Sequence, residues 1–245
     1  MLFFALGLGS YAVVELGFLG TWSAELRWAF VARIALLLMA VPGFICLGRP
    51  LDLLRAGLSD AGRQRLDAVL DGRVFRVLGN AMFAAIFVAA IFCVFLTPLA
   101  GVLRTSPVIS EALGLVSLVV GLLLVVPLMA LTGIHTSTFL AVEFLLAFVE
   151  LVIDSIPGIL LRLNDTVVDG VAAAAGAAWW PNPLHDQHLA GDLLWFIAEV
   201  ADVPILIILL VRWGRRDRVE AAGYDALTDE EHDALVQEHL RGSRG

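Results

Sequence analysis

Six apolar stretches, each about 18 to 25 residues long, occupy most of this 245-residue chain, at approximately 2–19, 28–48, 79–101, 111–133, 138–162 and 189–212. A hydrocarbon layer roughly 30 Å thick is crossed by about 20 apolar residues of helix, and within it each backbone N–H and C=O must find its partner inside the protein. The pattern therefore predicts an all-α polytopic bundle of six transmembrane helices surrounded by lipid bilayer. No strand periodicity or internal repeat competes with it. With 60% hydrophobic and 16% charged residues and a mean hydropathy of +0.89, the chain is set apart from soluble enzymes and secreted disulfide scaffolds. Its formal charge of -8 speaks against nucleic-acid binding.

Residues 1–19 lack a basic leader, and Gly20-Thr21-Trp22 does not resemble a cleavage site, so the first stretch reads as a retained helix. Cys46 and Cys93 fall in different hydrophobic stretches near opposite membrane faces, as packing residues rather than a disulfide.

All 16 basic residues are arginine, and they are unevenly placed. Six lie between 49 and 78 (Arg49, Arg55, Arg63, Arg65, Arg73, Arg76) and six after 211 (Arg212, Arg215, Arg216, Arg218, Arg241, Arg244). Arg27, Arg104 and Arg162 fall at the opposite face and Arg33 inside a span, so the balance is 12 to 3 and the positive-inside rule puts both termini in the cytoplasm. The transmembrane domain is expected to run from 1 to 213. Within it, Ser59 caps a helix in the 49–78 connection whose Leu66, Val69, Leu70 and Leu78 oppose Arg63, Arg65 and Asp67, an amphipathic element for the membrane surface. The outer connection, 163–188, closes with Trp179-Trp180-Pro181, suited to the headgroup layer. From 214 to 245 the chain reads as a cytoplasmic tail, with Thr228 and Glu231 opening a short helix to about Leu240.

Ionisable groups inside lipid cost about 2.5 to 3.5 kcal/mol each on the insertion scale, so their positions carry the functional information. On the fifth span Glu143, Glu150 and Asp154 fall within roughly 40° of one another at about 100° per residue. On the sixth, His185, His188, Asp192, Glu199 and Asp202 fall within roughly 100°. Two acidic stripes facing each other form an intramembrane polar network. His185, His188, Asp192 and Asp154 join imidazole and carboxylate donors at one depth, which suits a divalent metal; copper(I) would prefer the sulfur ligands that this cluster lacks. The same residues also fit a buried network that cements the helices, or a proton or ion pathway. Arg33 needs a carboxylate, with Glu15 and the acids of the last two spans as the available partners. No Ser/His/Asp arrangement, Walker loop or dinucleotide glycine motif is present to indicate an enzyme.

The stretch Asp186-Gln187-His188-Leu189-Ala190-Gly191-Asp192-Leu193-Leu194-Trp195 resembles the signature that opens the last helix of the CtaG-type cytochrome c oxidase assembly factors, first tied to caa3 oxidase. Phe30-Val31-Ala32-Arg33, Leu47-Gly48-Arg49-Pro50-Leu51, Leu54-Arg55-Ala56 and Thr97-Pro98-Leu99 are similar to further blocks of that family, and the Glu199 to Pro204 stretch looks most like actinobacterial members. The resemblance covers roughly residues 5–220 and implies a multi-pass protein of the bacterial plasma membrane. It further implies a role in oxidase maturation, with oxidase subunits as partners and copper as an implied cargo. Asp186, Gln187, Gly191 and Trp195 are the motif residues that carry over, although the Asp186-Gln187 pair is equally placed to cap its own helix. The departures are specific: Arg33 and Leu37 stand where the family has histidines, Asp154 where it has another, and relatives typically have seven spans. A proton or metal-ion transporter using the acidic stripes, and a structural member whose metal chemistry has lapsed, are the alternatives.

Overall fold

The computed structural model describes residues 2–78, 80–130, 137–171 and 182–225, and among them every regular element is helical. His135, which the sequence places in the cytoplasmic turn between the fourth and fifth stretches, the Trp179-Trp180 pair and the expected helix at 228–240 lie outside the described residues. Helices α1 (Leu2–Leu16) and α2 (Phe18–Trp22) form the first apolar stretch, Phe3–Trp22. The second, Arg27–Leu47, is α3 (Arg27–Ala35), a π-helical turn over Leu36–Ala40, and α4 (Val41–Leu47). The wide turn has a local cause. Pro42 has no N–H to return to the carbonyl of Leu38, and the preceding Val41 N–H reaches back five residues to the carbonyl of Leu36.

Helices α5 (Pro50–Gly57), α6 (Asp60–Leu70) and α7 (Arg73–Leu78) make the connection. The Ser59 side chain accepts from the Gly62 N–H at 3.4 Å, the expected cap of α6. The third stretch departs from a straight span. Helix α8 (Ala81–Cys93) ends in a 3-10 turn, and the path between Met82–Leu96 and α9 (Leu99–Thr105) bends by 84°. The residue before a proline is pushed out of the helical region, and Thr97 is extended (φ -125°, ψ 158°) ahead of Pro98.

Helices α10 (Pro107–Ala130), α11 (Ser137–Leu163) and α12 (Pro183–Asp225) complete the bundle. Four described helical stretches are long and apolar enough to cross a membrane, five if the bent pair counts as one. Helix α12, 43 residues and about 65 Å long, continues through residue 213 to Asp225 rather than ending at the last apolar residue.

Helix α3 lies at the centre, with α12 against one side and the core formed by Phe30, Ile34, Val88, Phe92, Leu194 and Ala198. Lipid tails are as apolar as these side chains, so the packing gain comes from close fit rather than from leaving water. The closest fit joins α11 to α12: a Cβ on Gly191 would stand 2.6 Å from the carbonyl oxygen of Gly158, so only glycine lets the two backbones meet there. Cys46 is buried, Cys93 is exposed, and both are free thiols.

Candidate functional site

Arg27, Arg104, Asp169, Asp186 and Gln187, all buried, gather at one end of the bundle, where α3, α9 and α12 and the segment 164–171 converge; this end is called the motif face below. Asp186, buried in the first turn of α12, points away from its own helix. Its Oδ2 accepts from the backbone N–H of Arg27 at 2.9 Å and its Oδ1 from that of Trp28 at 3.2 Å. These are the first two N–H groups of α3, which have no partner inside that helix. The expectation that Asp186 and Gln187 cap the helix they belong to is thus corrected. Asn182 does that work, its Oδ1 accepting from Leu184 N and His185 N, both at 3.1 Å. Asp186 caps α3 from 159 residues away in sequence.

The same carboxylate contacts the Arg27 guanidinium at 3.4 Å, and Arg27 continues to Asp169 at 2.8 Å and to the carbonyl of Val171. Asp169 is shared: its second oxygen holds Arg104 of α9 at 3.1 Å, and Arg104 also donates to the carbonyl of Ala24 at 2.5 Å. Two arginines and two aspartates therefore balance one another in the protein interior. Buried charges are tolerated when paired and hydrogen-bonded in this way. Between them lies a cavity of about 20 Å³, bordered by Arg27, Phe30, Phe95, Arg104, Asp169 and Gln187, a size that takes a single water.

The rest of the motif ties down the 164–171 segment. Gln187 accepts from Val168 N at 2.8 Å and donates to the Thr166 carbonyl at 2.9 Å, and a ring nitrogen of His188 lies 3.1 Å from the Asn164 carbonyl. Gly191 makes the α11 contact described above, and Trp195 follows one turn on, its backbone N against Gly158. The motif is a clamp: one turn of α12 holds the start of α3, a loop and α11 at once.

Arg33 lies two turns deeper. It is fully buried and paired as the charge argument requires, with Glu15 in a two-pronged contact at 2.9 Å and 2.5 Å. Ser23 and Ser110 accept from its Nη1 at 3.2 Å and 2.9 Å, and Glu111 approaches at 3.4 Å. Gly114 makes room for this pair, since a Cβ there would lie 2.7 Å from Glu15 Oε1 and 2.8 Å from Arg33 Nη2.

Helices α11 and α12 meet along a seam whose register is set by Gly158 and Gly191. Within it, Asp202 interacts electrostatically with both Glu150 and Asp154. Asp154 is fully buried and neither of its carboxylate oxygens has a hydrogen-bond partner among the described residues; the same is true of Asp202 Oδ2. Glu143 and Glu199 are half-buried.

The four residues singled out as metal donors take separate places. Asp192 pairs with Arg162 at 3.1 Å with both side chains nearly half exposed, His188 is engaged by Asn164, His185 is exposed near Asn182, and Asp154 is sealed in the seam. Among the described residues no three His, Cys, Asp or Glu side chains are gathered so as to hold a metal ion. The donor set as it stands does not fit a resident metal.

Arg27, Arg104 and Asp169 were not among the sequence candidates. The two arginines read only as charges at the outer membrane face, and Asp169 lies in the outer connection 163–188 without being singled out. A usable signal was present: arginines at the same membrane face as an acidic motif residue need counter-ions.

The chain matches the cytochrome c oxidase caa3 assembly factor family over residues 1–216. It is also similar to two uncharacterized mycobacterial proteins, one of Mycobacterium bovis and one of Mycobacterium tuberculosis, each 26% identical over 203 residues. The match takes in 79% of this chain and spans only 31% of the length of each relative. No solved structure matches. With the family matched across residues 1–216, nearly the whole described helical bundle, the chain belongs to the cytochrome c oxidase caa3 assembly factor family.

Proposed function

We propose that this protein acts in cytochrome c oxidase assembly as a non-catalytic membrane partner that holds an oxidase subunit during maturation. The family match supports the setting, and the observation that carries the choice of mechanism is the motif itself. Asp186, Gln187 and Gly191 are consumed in holding α3, the 164–171 segment and α11 in one arrangement, which is the work of a residue set that shapes a docking surface. Delivery of copper as cargo is the finer alternative, and the dispersal of His185, His188, Asp192 and Asp154 weighs against it. A proton or cation path is favoured by one specific feature in the α11–α12 seam, the carboxylate of Asp154 and the Oδ2 of Asp202, which have no hydrogen-bond partner among the described residues.

The same reading includes six spans with both termini in the cytoplasm of a bacterial plasma membrane. The apolar run of α12 would be the sixth, and the orientation rests on the arginine count, with Arg27, Arg104 and Arg162 at the motif face against twelve arginines in the 49–78 connection and after residue 211. In a strain lacking the chain, oxidase activity and copper content are measured after complementation. Failure of Asp186→Ala to restore assembly, together with recovery of oxidase subunits on the tagged wild type, is the expected result. Normal oxidase without the chain removes the assembly reading, and metal uptake into vesicles that is lost in Asp154→Asn selects the transport reading.

A further inference from the structure

The α11–α12 seam gathers acids without a counter-charge. Asp154, one turn beyond Glu150 on α11, is fully buried with neither oxygen hydrogen-bonded among the described residues. Asp202 of α12, whose Oδ2 is likewise unbonded, lies close enough to interact with both. The elements packed around them bring no free cation. Helix α8, against α11, carries no ionisable group except the thiol of Cys93 at its end, and the turns at Leu36–Ala40 and Val94–Leu96 carry none. Helix α3, against α12, brings Arg27 and Arg33, which are taken by Asp169 and Asp186 and by Glu15.

On the two helices themselves, Glu143 and Glu199 add negative charge, His188 is held by the Asn164 carbonyl, and Arg162 is paired with Asp192. Two contacts bracket the acids along the seam. Between Asp154 and Arg162 the backbones of Gly158 and Gly191 meet with no room for a methyl group. At the other end Phe144 stacks on Trp213, ring centroids 6.2 Å apart, and Arg212 lies ten residues, or about 15 Å, past Asp202.

Three neutralising partners are conceivable, and the geometry separates them. A metal ion needs donors gathered around it, and no three such side chains are so gathered among the described residues. A basic side chain from another protein would have to reach Asp154, which has no exposed surface. A proton needs neither space nor a coordination shell, and it removes the charge whose burial is costly. We propose that Glu150, Asp154 and Asp202 form a proton-binding site shared among the three acids. This narrows the ligand of the transport reading above to the proton, and it rests on that reading only for the place of the site, since binding needs no flux.

Infrared spectroscopy of the full chain in lipid vesicles tests this, because protonated carboxyls and carboxylates absorb at separate frequencies. At neutral pH, where exposed carboxyls are ionised, the wild type shows a protonated-carboxyl band that shifts on exchange into D2O. The band weakens in Asp154→Asn and in Asp202→Asn, is lost when Glu150→Gln is added to both, and is unchanged in Asp192→Asn, whose carboxylate belongs to Arg162. Absence of the band from the wild type overturns the proposal, as does a band that survives the triple change. An unchanged helical circular dichroism spectrum verifies the fold of each variant. Proton flux into the same vesicles is read separately with an enclosed pH dye. Flux without the band overturns the site and keeps the transport reading, whereas the band without flux supports the site and removes transport.

Discussion

Removing the charge of Asp186 while keeping its shape separates a clamp from a surface ion pair. In Asp186→Asn one oxygen becomes an NH2 facing the N–H of Arg27 or Trp28, so at least one cap bond to α3 is lost, a change of about 0.5–2 kcal/mol by itself. The larger effect is electrostatic. Arg27 and Arg104 are left with Asp169 as their only carboxylate among the described residues, in a site where the side chains are 1–7% exposed, and removing one partner of a buried pair costs about 3–5 kcal/mol. The two effects act on one network and overlap, so the expected destabilisation is about 3–5 kcal/mol in all. Asp192→Asn is the control: its pair with Arg162 is nearly half exposed on both sides and is worth at most about 1 kcal/mol. The assay is equilibrium unfolding of the purified chain in mixed micelles, followed by helical circular dichroism, with Arg27→Gln and the double variant closing the cycle. An Asp186→Asn effect no larger than that of Asp192→Asn, or strict additivity with Arg27→Gln, refutes the clamp.

Arg33→Leu and Glu15→Leu are each expected to lose about 3–5 kcal/mol in the same assay, with the double variant milder than either, because an apolar pair strands no charge. Gly191→Val pushes α12 off α11 and lowers stability by at least about 1–3 kcal/mol, read as a lower unfolding midpoint, whereas a neutral result removes the backbone contact from the argument. Asp154→Asn is expected to leave stability equal or higher, since it replaces a buried carboxylate that has no hydrogen-bond partner among the described residues; a loss above about 1 kcal/mol reveals a structural bond to that group. First-row metal content of the purified chain is expected to be the same for wild type and His188→Ala, and a fall in the variant assigns a ligand role to His188.

The class of this protein was written in its sequence because the bilayer permits so little. Stretches of about 20 apolar residues in lipid have to be helices, and a guanidinium such as Arg33 at that depth has to have a carboxylate, with Glu15 among the few at hand. Local chemistry was legible for the same reason: Ser59 at the start of α6 and the break at Thr97-Pro98 follow from short-range donors and sterics, although the 84° bend at that break turns an expected straight span into two arms. What the chain order conceals is which helix faces which. The angle between Asp154 and Asp192 on their own helices says nothing of the axial register between α11 and α12, and that register is set by Gly158 meeting Gly191; it leaves Asp192 with Arg162 and seals Asp154 away from the histidines. Asp186 teaches the same point. Its place at a helix start is readable, yet the N–H groups it satisfies belong to α3, 159 residues earlier, because only packing brings the orphan donors of one helix to the side chain of another.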